Sequence, residues 1–172
     1  FADLQSAIDA AQANSTITVL AGSYAVATPS APGTPAINVT KSLTIAGEGS
    51  PSGPGCVSGC PTFELGDGTS LGLQIAANGV KLSNLAINQK SVPGSDYAAG
   101  LVYVPANGTG LYSTPTLTHV SLTGGRRAVW LNAADPSITS SSFNAQAADS
   151  IFVTASSGPT NIKDNAFGGG GK

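Results

Sequence analysis

Leu82-Ser83-Asn84-Leu85-Ala86-Ile87 and Leu117-Thr118-His119-Val120-Ser121-Leu122 share one frame, apolar at the first and sixth positions. Ile138-Thr139-Ser140-Ser141-Ser142-Phe143 and Ile162-Lys163-Asp164-Asn165-Ala166-Phe167 repeat it. The frames start at 82, 117, 138 and 162, so they lie 35, 21 and 24 residues apart. A second strand-like family runs between them: Gly100-Leu101-Val102-Tyr103-Val104, Ala128-Val129-Trp130-Leu131-Asn132 and Ser150-Ile151-Phe152-Val153-Thr154. Its starts, at 100, 128 and 150, are 28 and 22 apart. Two interleaved strand types recurring every ~22 residues describe a solenoid, in which each repeat buries its apolar face only by stacking on a neighbour. The longer first intervals leave room for loop insertions around Pro93 to Asp96 or Asn107 to Thr114.

Upstream, the same period-two chemistry continues in Ile17-Thr18-Val19, Ile37-Asn38-Val39, Leu43-Thr44-Ile45, Phe63-Glu64-Leu65 and Leu73-Gln74-Ile75. Gly, Pro, Asn and Ser separate these runs, as they do between short strands. One stretch differs. Asp3 to Ala13 carries Leu4, Ile8 and Ala11 at helical spacing, with Asp3 placed to cap the first amides.

Composition narrows the classes. The 172 residues hold 22 Gly and 11 Pro, 41% apolar and only 9% charged residues, against about 25% charged in an ordinary domain. That is enough apolar material for one core and too little charge for a disordered chain. A net charge of −2 argues against a nucleic-acid binder, which needs a basic stripe. No apolar run approaches the ~18 residues of a membrane span. The chain opens on Phe1 and contains no Met, so it reads as a processed or excised piece from which any signal peptide has gone.

Three stretches carry a family likeness. Leu4-Gln5-Ser6-Ala7-Ile8-Asp9-Ala10-Ala11 followed by Ile17 to Tyr24 resembles the N-terminal cap helix and first coil of the right-handed parallel β-helix family, also called the pectin-lyase-like fold. Lys41-Ser42-Leu43-Thr44-Ile45-Ala46-Gly47-Glu48-Gly49 resembles its next coil, and Gly158 to Phe167 its recurring repeat. The resemblance implies an all-β, right-handed parallel β-helix over residues 1–167, with a cap helix at 3–13 and a Gly-rich tail or linker at 168–172. About seven coils at 4.7–4.9 Å each give a prism roughly 34 Å long. The fold hosts lyases, hydrolases, adhesins and structural fibres, so it leaves the chemistry open.

Enzymes of that family cleave acidic polysaccharides. Lyases use acids to hold calcium and a basic residue to abstract a proton; hydrolases use paired carboxylates. The register opposes both. Asp149 falls one coil after Arg127 and predicts a surface ion pair; Asp135 falls level with Ser157, and Asp164 with Ser140 and His119. No column holds two carboxylates, and Glu48, Glu64, Asp67 and Asp96 are scattered. Arg126-Arg127 is the one basic pair, able to grip a uronic-acid carboxylate or simply to occupy a turn against Asp149. His119 has no nucleophile at recognisable spacing and reads as a solvated or turn histidine.

Alternation sends Val129, Leu131, Ile151 and Val153 inward and Trp130 and Phe152 outward, one above the other, with Val102 continuing the column. Stacked outward aromatics read as a contact surface for a sugar ring or a protein. Cys56 and Cys60 read as a small local disulfide of a secreted protein, the alternative being two free thiols on a surface loop; with one histidine in the chain, zinc lacks ligands. Asn14, Asn38 and Asn107 head N-x-Ser/Thr sequons and could accept N-linked glycan. An ice-binding role for the outward Ser and Thr rows is disfavoured, because Lys163 and Ala166 interrupt them. The expectation is an extracellular or cell-surface structural or adhesive module. It would self-associate or bind surface polysaccharide, possess neither metal nor cofactor, and build a filament or fibre. The alternative is a polysaccharide lyase or glycoside hydrolase, with calcium, or an inactive carbohydrate-binding relative.

Overall fold

The computed structural model describes residues 3–90, 100–106, 114–156 and 158–169. The insertion expected at Pro93 to Asp96, residues 107–113 of the other insertion, and the Asn107 sequon lie outside them, as does Ser157. In chain order the elements begin with α1 (Leu4–Ala10), β1 (Thr16–Val19), β2 (Gly22–Val26), β3 (Pro35–Val39) and β4 (Thr44–Gly47). There follow β5 (Pro61–Leu65), β6 (Leu71–Ile75), β7 (Lys81–Gln89), β8 (Gly100–Val104), β9 (Thr116–Gly124) and β10 (Val129–Leu131). The last are β11 (Ser137–Thr139), β12 (Ser142–Asn144), β13 (Ile151–Val153), β14 (Asn161–Lys163) and β15 (Ala166–Gly168).

Among the described residues the fold is all-β with one short helix, and its strands pair in parallel, with no closed barrel. Three ladders result. The first runs β1-β4-β7-β9-β11-β14 and the third β3-β6-β8-β10-β13. The second joins β2, β5, β7, β9, β12 and β15. β7 and β9 each span nine residues and serve the first ladder with one half and the second with the other. The longest ladder has six strands among the described residues, against the seven coils expected.

Stacked apolar columns make the core. Ile45, Leu82, Leu117, Ile138 and Ile162 form one; Ile37, Leu73, Val102, Val129 and Ile151 another. A third runs Tyr24, Phe63, Ile87, Leu122, Phe143 and Phe167, with rings in contact at both ends (5.5 Å for Tyr24–Phe63, 5.2 Å for Phe143–Phe167). The expected frame explains the bend between the first two ladders. Its third position is held by Asn84, His119, Ser140 or Asp164, at φ of 52°, 53°, 49° and 57°. This left-handed backbone turns the chain in one residue, and Asn and Asp tolerate it better than most side chains. Inside the bend, Asn165 and Ser141 meet otherwise unpaired backbone: Asn165 Oδ1 accepts from the Ser141 amide (2.8 Å), and Ser141 Oγ accepts from that of Val120 (3.2 Å).

The cap helix is shorter than expected, ending at Ala10 where Ala11 turns extended at ψ 144°. Asp3 caps it by accepting from the Ser6 amide (2.8 Å). Leu4, Ala7 and Ile8 are buried, and Leu4 and Ile8 join the hydrophobic core. Gln5 serves the edge of β3 as a neighbouring strand would: its Oε1 accepts from the Asn38 amide and its Nε2 donates to the Asn38 carbonyl. Lys41 Nζ donates to the carbonyls of Ile8, Asp9 and Ala11 and holds the C-terminal turn. At the other end, β15 includes Gly168, one residue into the stretch read as a tail.

Candidate binding face

The outward side of the third ladder carries a continuous file of planar side chains. Register places Asn38 beside Gln74, Gln74 beside Tyr103, Tyr103 beside Trp130 and Trp130 beside Phe152. Trp130 and Phe152 are register partners on adjacent strands, as expected. The continuation of their column is corrected: Val102 pairs with Val129 and is fully buried, and Tyr103 stands in its place. The offset from β8 to β10 is 27 residues, not 28. The run Gly100-Leu101-Val102 is buried throughout, so no alternation marks its phase.

Tyr103 and Trp130 have ring centroids 4.6 Å apart with planes tilted by 40°. That is close to the ~4.8 Å rung spacing of a parallel ladder. The guanidinium carbon of Arg127 lies 4.4 Å from the Phe152 centroid and 5.7 Å from that of Trp130. Arg127 Nε also donates to Asp149 Oδ2 at 3.1 Å, the ion pair read from the register. It is not a surface pair: Arg127 is 8% exposed, its stem buried beside the rings, and only Asp149 reaches solvent appreciably. Tyr103, Trp130 and Phe152 are each half-buried, so the column shows ring edges and partial faces where fully exposed faces were expected. The Trp130 indole N–H is buried and has no acceptor among the described residues. Arg126 flanks the site half-buried, and its carbonyl accepts from the Ala148 amide.

The remaining expected sites fall elsewhere. His119 is a bend residue, half-buried between Thr118 and Val120. Cys56 and Cys60 form a disulfide in the loop between β4 and β5. That loop docks on distant strands: the Gly55 amide donates to the Ser140 carbonyl (2.7 Å) and the Cys56 amide to Ser121 Oγ (2.9 Å). Nothing in the loop's own sequence announces this landing. Asn14 is exposed, whereas Asn38 sits half-buried within β3 with its Oδ1 accepting from Gln74. A cavity lined by Asp3, Gln5, Tyr24 and Phe63 opens beside the cap. Its polar groups are already engaged, Gln5 by Asn38, Asp3 by Ser6 and the Tyr24 hydroxyl by the Leu20 carbonyl. No helix among the described residues is long and apolar enough to cross a membrane. No protein-family model, curated protein or solved structure matches the chain.

Proposed function

We propose that the chain is a right-handed parallel β-helix akin to the pectin-lyase-like family. In this reading it is an extracellular structural or adhesive module that holds a surface polysaccharide along Tyr103, Trp130 and Phe152. The strand order supports the fold: the chain visits the first, second and third ladders in turn, then returns to the first. Parallel crossovers of this kind are right-handed in nearly all proteins. The disulfide fits an oxidising compartment.

The aromatic column carries the functional part. Three rings at successive rungs offer a strip of ring edges and partial faces along which consecutive sugar rings can lie. Arg127 is matched by Asp149 and spread over Phe152, which offsets its own charge at the rings. A neutral glycan therefore fits the ring strip itself, and Arg126 beside it is where a uronate carboxylate would sit.

Trp130 is the only tryptophan, which makes its fluorescence a direct reporter of the site. Titration with a soluble neutral glucan should change that emission saturably, and Phe152→Ala or Tyr103→Ala should weaken binding by about tenfold, the equivalent of ~1.4 kcal/mol. Emission unmoved by neutral and acidic glycans alike would overturn the reading. Calcium-dependent release of unsaturated sugars from pectin or alginate would replace it with the lyase.

A further inference from the structure

The aromatic rings fill only part of their file. Before Tyr103 the same outward column continues through Gln74 on β6 and Asn38 on β3, so five side chains stand in register, one to a rung. At ~4.8 Å per rung the file spans roughly 19 Å. Its two parts differ in chemistry. Trp130 and Phe152 are apolar, with the Arg127 guanidinium packed against their rings. Asn38, Gln74 and Tyr103 present uncharged polar groups. Gln74 Nε2 donates to Asn38 Oδ1 at 3.3 Å, and this bond holds the two amides in line with the column. It leaves Asn38 Nδ2 as a donor and Gln74 Oε1 as an acceptor, neither buried and neither with a further partner among the described residues. The same holds for the Tyr103 hydroxyl.

We propose that Gln74 and Asn38 form the specificity-determining end of the glycan site, and that its ligand is an extended neutral hexose chain lying along the file, about one sugar to each rung. This rests on the glycan reading above and adds to it the length of the chain and the groups that select it. Apolar contact with rings is common to every pyranose and selects little, whereas a few polar groups held at fixed positions set orientation and specificity. A sugar hydroxyl both donates and accepts, so it satisfies Gln74 Oε1 and Asn38 Nδ2 alike. A carboxylate only accepts, and would meet the lone pairs of Oε1. No charged residue stands in the file itself to favour one. An extended chain suits the site because the ladder beneath repeats once per rung, and equatorially linked pyranoses advance by nearly the same step per sugar.

Trp130 emission reports the apolar part of the file, so it can be titrated with neutral gluco-oligosaccharides of increasing length. The protein is made in a host that adds no N-linked glycan, which keeps Asn38 bare. Affinity should rise from about three sugars to about five, one rung being filled by each, and then level off. Gln74→Ala should weaken binding of the longer chain about fivefold, the worth of one neutral hydrogen bond, and remove the gain from lengthening. Asn38→Ala should do the same; its backbone bonds to Gln5 are kept, so it carries the test if Gln74→Ala fails to fold. Affinity independent of length, a gain that survives in both variants, or tighter binding of a uronic-acid chain of equal length overturns the proposal and leaves the ring site standing. Emission unmoved by any oligomer, neutral or acidic, overturns both.

Discussion

Asp3 shows how much one side chain does where a helix meets a sheet. The Ser6 amide and then the Ser6 hydroxyl donate to its carboxylate and hold its pKa below the ordinary value. A depressed carboxylate pKa means that protonation breaks the cap. The contribution is complete above the unfolded pKa of about 3.9 and is lost as pH falls through the lower folded value. Hydrogen exchange should show first-turn amides of α1 losing protection in that acidic window, and Asp3→Ala should abolish the pH dependence while lowering protection throughout. An unchanged profile in Asp3→Ala would assign the acid response to another group. This cap was legible because an N-cap is a local rule. The bend at Asn84, His119, Ser140 and Asp164 was not, because four different residue types share one left-handed conformation and only their stacking relates them. Tyr103 was missed for a related reason: it stands next to Val102 in an apolar run whose phase only pairing resolves.

Each strand here is short, three to nine residues, and none would persist alone. What holds it is the column it joins. Phe143 on β12 lies between Leu122 on β9 and Phe167 on β15, and is 1% exposed. Phe143→Ala should cost about 3–5 kcal/mol, since both flanking rungs are fixed by backbone pairing and cannot collapse into the void. Urea unfolding measures this; a loss below about 1 kcal/mol would mean the end circuits contribute little to the cooperative unit. By contrast Phe167→Ala, at a position 59% exposed, should cost much less. The parallel pairing of the first ladder was readable from the repeated frame, and the pairs Leu82–Leu117, Leu117–Ile138 and Ile138–Ile162 fall as that frame predicts. The helix was readable in kind but not in length. Ala and Gln at 10–13 are good helix formers, yet Lys41 Nζ collects the carbonyls of Ile8, Asp9 and Ala11 and ends the helix from outside.

Over the whole molecule, stability should be graded. Strands that pair on one side only and leave apolar side chains exposed open more readily than strands paired on both sides. Amides of β13, β14 and β15 should therefore exchange fastest among the strands, and those at the β7–β9 pairing slowest. Uniform exchange across all strands would indicate a single global opening instead. Length and composition already implied one core and little charge. They did not reveal which rungs lose burial, because that depends on pairing between strands far apart in the sequence.

The docked loop between β4 and β5 sets a timetable for biosynthesis. Its Cys56 amide awaits a hydroxyl 65 residues downstream, and Gly55 awaits the carbonyl of Ser140, further on still. A chain that emerges N-terminus first can stack its early rungs while this loop hangs unlatched. The Cys56–Cys60 bond needs no such partner and can form early. It then delivers a pre-shaped hook, which fastens only after the later strands have been made.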